Sequence, residues 1–250
     1  LRRVQRLLSG MISSARDSGD PSAVQKVHRS IVESGITQLI VQMLDDQVFV
    51  GAPEDVTDAA WQLLIDVLCE KRSASGVQQV SKAVQQSILQ VCKTGVDAGM
   101  FESFREILGI VISKSKAVRS LKLLAKLNPE EQRQIDDLKA SMKDAVRAME
   151  AMRLMVEGHF FPMQQHLHSQ SGSSRSCDVL EQTSRLLIQL AKDPKGGDTM
   201  MVEEIECLSQ ALTLLIELCQ GPNLQNQEFV STLGLVEASS RLLQPSFEMI

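Results

Sequence analysis

Tyrosine is missing from this sequence of 250 residues, tryptophan occurs once and phenylalanine seven times. Few flat rings are left on which bases could stack. An excess of positive charge is missing too. The formal net charge is −5 and the isoelectric point is near 5.5, whereas neutralising phosphates requires a basic stripe. Together these absences exclude a nucleic-acid binder. Long hydrophobic runs are also lacking: "ILGIVI" at 107–112 falls far short of the roughly 20 apolar residues that cross a bilayer. No signal-peptide pattern opens the chain. The composition therefore predicts a soluble module with no membrane span. Because it starts at Leu1 and not at a methionine, we expect it to be cut from something longer. Its length suits one large domain or two small ones with a substantial core.

Catalytic groupings are absent as well. There is no phosphate-binding glycine loop, no HExxH and no GxSxG, so the expectation is no enzyme. The five cysteines (Cys69, Cys92, Cys177, Cys207 and Cys219) form no CxxC pair. They read as reduced thiols acting as small hydrophobes. A zinc site through Cys177, His159, His166 and His168 is the rival reading. Residues two apart on a helix face different ways, which counts against His166 and His168 acting together.

What is present is helix, with no convincing strand. "GDPSAVQKVHRSIVESG" offers Asp20 as N-cap, Pro21 at the first helical position, an apolar stripe of Val24, Val27 and Ile31, and Gly35 as a stop. In "ITQLIVQMLDD", Ile36, Leu39, Ile40, Met43 and Leu44 share a face. A helix from about Pro53 to Glu70 carries Val56, Ala60, Leu63, Leu64, Val67 and Leu68. Another from about Gly76 to Lys93 carries Val77, Val80, Val84, Ile88 and Val91, and Phe101, Phe104, Ile107, Leu108 and Val111 mark a fifth. "NPEEQRQI" begins the longest helix, with Asn128 as N-cap, Pro129 next and Glu131 placed for a capping box. Its residues Ile135, Leu138, Met142, Ala145, Met149, Met152 and Val156 step by threes and fours, a seam for a neighbouring helix. A polar loop at 168–176 follows, then helices at about 177–192 and 201–220 separated by "DPKGGD", and a last one over roughly 225–243. Short helices in pairs, each apolar on one stripe, predict an all-α, armadillo-like α-solenoid of paired antiparallel helices. A compact bundle is the alternative.

Two helix ends break a local rule. Glu157 precedes Gly158, and Glu217 sits four residues before Gly221. Glycine ends each helix and leaves carbonyl oxygens unpaired there. The macrodipole is negative at that end, so a carboxylate costs about 0.3–1 kcal/mol. Glu217 also lies off the stripe of Ile205, Leu208, Leu212, Leu215 and Cys219, pointing away from the packed face. Acids placed against the rule beside free carbonyls make sense if a cation sits there.

The segment "LLIELCQGPNLQNQEFVS" resembles the "LTEYCQGPC..NQ" block of the inositol trisphosphate receptor and ryanodine receptor family. "RLMVEGHFFPMQQHLHSQSG" is similar to that family's "QLLCEGHN...FQNYLRTQTG" block, and the two occur in the family's order. "CDVLEQTSRLLIQLAKDPKGGD" resembles the segment that joins them. The likeness is specific over about 152–230 and weak before 130. It implies the homology-associated domain, the third armadillo solenoid of these tetrameric calcium-release channels, over 128–250, with armadillo-like helices over 1–127 preceding it. By residue, the resemblance implies that Glu157 and Glu217 are the two glutamates that bind the activating Ca²⁺, with a carbonyl from beyond the pore completing the site. Val156, Phe160 and Leu218 stand where the family's blocks have Cys, Asn and Tyr, and Phe160-Phe161-Pro162 adds apolar character. The implied role is a cytosolic regulatory solenoid at the endoplasmic reticulum or a related intracellular membrane. It would relay ligand and Ca²⁺ binding to the pore of a homotetramer through the other channel domains. Two glutamates supply at most four of the roughly six to eight oxygens Ca²⁺ prefers, so low affinity is expected for the fragment alone. A free-standing helical-repeat scaffold for protein partners is the alternative.

Overall fold

The computed structural model describes residues 2–44, 54–72, 78–94, 98–121, 124, 126–170, 176–192 and 200–243. Among them are α1 (Arg2–Asp17), α2 (Pro21–Glu33), α3 (Ile36–Met43), α4 (Glu54–Leu68), β1 (Cys69–Arg72), β2 (Gln78–Val80), α5 (Lys82–Lys93) and α6 (Ala98–Val118). After them come α7 (Pro129–Val156), α8 (Phe161–His168), α9 (Val179–Leu190), α10 (Val202–Cys219), α11 (Leu224–Thr232) and α12 (Leu235–Leu243). The polar loop expected around 168–176 lies largely outside the described residues, as do "DPKGGD", Val77 and the side chain of Val56.

Helix starts follow the capping chemistry. Asp20 accepts from the Ser22 backbone N–H at 2.8 Å and Pro21 opens α2. The Asn128 side chain accepts from the N–H groups of Glu130 and Glu131 at 3.0 and 2.9 Å. Glu131 accepts in return from the Asn128 N–H at 2.8 Å. That reciprocal box satisfies three donors that a helix start otherwise leaves without partners.

The helices stack in a register of three. One layer runs α1, α4, α7, α10, each packed on the next; a second runs α3, α6, α9, α12. The layers meet through the pairs α3–α4, α6–α7 and α9–α10, and short helices α5, α8 and α11 follow each pair. The fold is an all-α solenoid of packed helix pairs. All seven stripe residues of α7 are buried, because this helix has neighbours on α4, α6 and α10 at once.

Several local expectations change. An antiparallel hairpin, β1–β2, interrupts the helical region at Cys69–Val80. The Ser81 N–H claims the Leu68 carbonyl at 2.9 Å, and Arg16 donates to the carbonyls of Asp66 (2.7 Å) and Cys69. Contacts distant in sequence thus end α4, where the apolar pattern alone ran on to Glu70. The final helix is two, α11 and α12, with Gly234 at φ +76° between them. Leu39, Ile205 and Leu212 lie exposed, while Val41, Leu214 and Leu218 are buried. Stripes are read about one helix position off when neighbours pack on more than one side. All five cysteines are free thiols, Cys219 half-buried and the other four buried. Burial pushes the Cys177 and Cys207 thiols up to about 12.

Candidate metal site

Helices α7 and α10 make the most extensive contact between helices, and their cross-links show them in matched register. Gln210 on α10 donates to Glu150 on α7 at 2.9 Å. Gln210 lies seven residues before Glu217, and Glu150 seven before Glu157. Seven residues are close to two helical turns, so both helices run on in parallel and end side by side.

Each end turns on glycine. Glu157, with φ −50° and ψ 138°, closes α7, and Gly158 and His159 follow at φ +76° and +60°. His159 is the one non-glycine residue with positive φ among the described residues. Gly221, at φ +78°, reverses the chain after α10, and a Cβ added there would lie 3.6 Å from the His159 Cβ. The two elbows are in contact.

The expected free carbonyls are not free. Gln164 on α8, fully buried, donates through Nε2 to the carbonyls of Glu217 (2.7 Å) and Gln220 (3.2 Å). Asn226 donates to the Leu218 carbonyl at 2.8 Å, and Gln227 to those of Cys219 (2.8 Å) and Gly221 (3.2 Å). The amide-rich stretch after α10 is its C-terminal cap. Gln85 on α5 treats α7 in the same way, donating to the carbonyls of Leu154 (2.9 Å) and Glu157 (3.0 Å). Amides from the short helices therefore engage these carbonyl oxygens, and the carboxylate oxygens are the stronger donors for a cation.

Glu217 is half-buried, not turned away from the packing. Its Oε2 is buried with no hydrogen-bond partner. Burial first, and then the Glu157 charge, push its carboxyl above the ordinary value; Arg153 and His159 pull it back. Glu157 accepts from Arg153 Nη1. Arg153, 8% exposed, also makes a two-pronged pair with Glu150, Nε and Nη2 donating at 2.8 and 2.9 Å. Burial works against the guanidinium charge, but Glu150, Glu157 and Glu217 outweigh it and hold the Arg153 pKa above its usual value. Neither Arg153 nor the glutamine caps is apparent from the apolar pattern. The parallel "VQQ" (84–86) and "MQQ" (163–165) at the short helices is the signal that could have found the caps.

The histidines disperse. His166 rests against the Phe101 ring at 5.7 Å, His168 pairs with Asp178 at 3.0 Å and faces Phe229, and His159 sits on Gly221. Among the described residues no group of three or more His, Cys, Asp or Glu side chains is arranged to hold a metal.

The residues fit Ca²⁺ in kind. Carboxylate oxygens are hard donors, one of them is buried without a partner, and Glu150, Glu157 and Glu217 against Arg153 leave two net negative charges. They fall short in number, since Glu157 and Glu217 offer at most four of the roughly six to eight oxygens that Ca²⁺ takes.

Residues 139–243 match the family described as RyR and IP3R Homology associated. No curated protein matches the chain. The matched segment contains both acid-tipped elbows, and the family is a channel-associated one, not a family of enzymes. Through residues 139–243, which hold most of α7 and all of α10, the chain is similar to the ryanodine and inositol trisphosphate receptor homology-associated family.

Proposed function

We propose that this chain is a cytosolic regulatory solenoid of an intracellular ligand-gated calcium-release channel, and that Glu157 and Glu217 form its half of an activating Ca²⁺ site. Residues 128–250 are assigned to the homology-associated domain and 1–127 to the helices before it. The supporting observation is the matched register of α7 and α10, which sets the two elbows in contact with an unpartnered Glu217 oxygen buried beside them. No described helix is long and apolar enough to cross a membrane. The pore and the remaining Ca²⁺ oxygens belong to other channel domains, and we assign the parent channel to the endoplasmic reticulum or a related membrane as a homotetramer.

The coupling follows from the shortage of donors. An ion gripped from one side only binds weakly. It stabilises the arrangement in which a second wall meets the solenoid, and a difference of about 1–3 kcal/mol between the two arrangements shifts gating noticeably. The test is Glu157→Gln and Glu217→Gln in the full-length channel. Each lowers the calcium sensitivity of opening while the solenoid stays folded by circular dichroism. Unchanged sensitivity in both variants refutes the assignment.

The exposed residues Val202, Ile205, Leu212 and Ile216 of α10 favour a second reading, a scaffold that docks partner proteins. The reading frame after Ile250 separates the two. Several hydrophobic spans with a pore loop support the channel, and an unrelated domain or a stop codon supports the scaffold.

A further inference from the structure

We propose that Arg153 is a resident competitor for the cation at the Glu157–Glu217 elbows, a latch that holds the affinity of this half-site low. The inference rests on the calcium reading above and adds to it the residue that sets how readily the ion enters.

Its basis is the geometry of one buried guanidinium. Arg153 reaches two carboxylates at once: Glu150 through the two-pronged pair at 2.8 and 2.9 Å, and Glu157 through Nη1. It therefore occupies an oxygen of one of the two carboxylates a metal ion would use. Glu150 is fixed in turn by Gln210 across the helix contact. Arginine does not lose its proton in proteins, so the latch cannot neutralise itself to admit an ion. An entering Ca²⁺ must draw Glu157 away from Nη1 or accept a fixed positive charge close by, and Arg153 stays in place in either case because Glu150 retains it. The same bond has a positive side, for it fixes the Glu157 rotamer. The balance is decided by charge. Two cations within a few ångströms repel strongly even where water screens them, whereas fixing one rotamer is worth little by comparison.

The experiment titrates Ca²⁺ alone into the 250-residue chain and follows the backbone amide signals of Gly158 and Gly221 by nuclear magnetic resonance. Those signals report the two elbows directly, with no channel activity involved. Arg153→Gln should tighten binding about tenfold or more, while Arg153→Lys, which keeps the charge, should stay near the wild-type value. Circular dichroism checks folding. Should Arg153→Gln unfold by taking the arginine from the half-buried Glu150, the pair Glu150→Gln with Arg153→Gln removes both charges and carries the same expectation of tighter binding. If wild-type binding is detected, is abolished by Glu157→Gln or Glu217→Gln, and is not tightened in the folded variant lacking Arg153, the latch is wrong and the calcium reading stands. If neither amide signal moves in any variant, with Arg153 or without it, the latch is wrong, and the full-length channel carrying Glu157→Gln or Glu217→Gln decides the calcium reading separately.

Discussion

The sharpest stability prediction concerns Gln164, whose side-chain amide joins α8 to the end of α10. Gln164→Met keeps the length and nearly the volume of the side chain, so little cavity forms, but it deletes the Nε2 donor. Two hydrogen bonds disappear, to Glu217 O at 2.7 Å and Gln220 O at 3.2 Å, together with a long contact from Asn223 Nδ2 at 3.4 Å. Each good bond contributes a net ~1 kcal/mol, and a buried acceptor left without a donor costs about 1–3 kcal/mol. Both carbonyls belong to half-buried residues, so water recovers part of the loss and the expected cost is about 2–3 kcal/mol. Urea unfolding followed by far-ultraviolet circular dichroism measures it. With a slope of ~2–3 kcal/mol per molar urea, the midpoint should fall by about 1 M at unchanged slope. A cost below ~0.5 kcal/mol would show that the α10 carbonyls are satisfied by solvent and that the amide cap is decoration.

Four further outcomes are expected. Asn128→Ala removes the capping box of α7 and should cost about 1 kcal/mol in the same unfolding assay. Gly221→Ala places a side chain at φ +78° and should destabilise by about 1 kcal/mol. Gly109→Ala, inside α6 with open space around the added methyl, should instead stabilise by about 0.5–1 kcal/mol, so the two substitutions differ in sign. Glu217→Gln should raise the melting temperature at pH 7 and by progressively less toward pH 3. The folded carboxyl is raised above its unfolded value, mainly by burial and then by Glu157. Its contribution to stability is therefore present below the unfolded value of ~4.3 and lost as pH rises through the higher folded one. An equal gain at both ends of that range would contradict the burial of this carboxyl.

The acid pair illustrates how far residue patterns carry. The sequence marks Glu157 and Glu217 as acids on the wrong ends of helices, and the glycines beside them do adopt the left-handed backbone that ends a helix. It does not reveal that the carbonyls of those ends are taken. The donors Gln85 and Gln164 lie 69 and 53 residues away from the carbonyls of Leu154 and Glu217, and nothing local to either tail announces them. Arg153 is likewise unremarkable by spacing, a basic residue in the last turn where the dipole favours one. Its importance comes from burial between three carboxylates.

What this sequence determined by itself was helix, its caps and a family resemblance over its second half. Periodicity and capping act over a few residues, so Asp20, Asn128 and the α7 stripe are decided locally, as is the long polar run after α10 that ends it. Tertiary structure alone decided the three-helix register, the hairpin at Cys69–Val80, which leucines face out, and the meeting of the two elbows. Those depend on which helix lies beside which, and hydrogen bonds and charges between residues far apart along the chain acquire their energy only after the layers have closed and water has left.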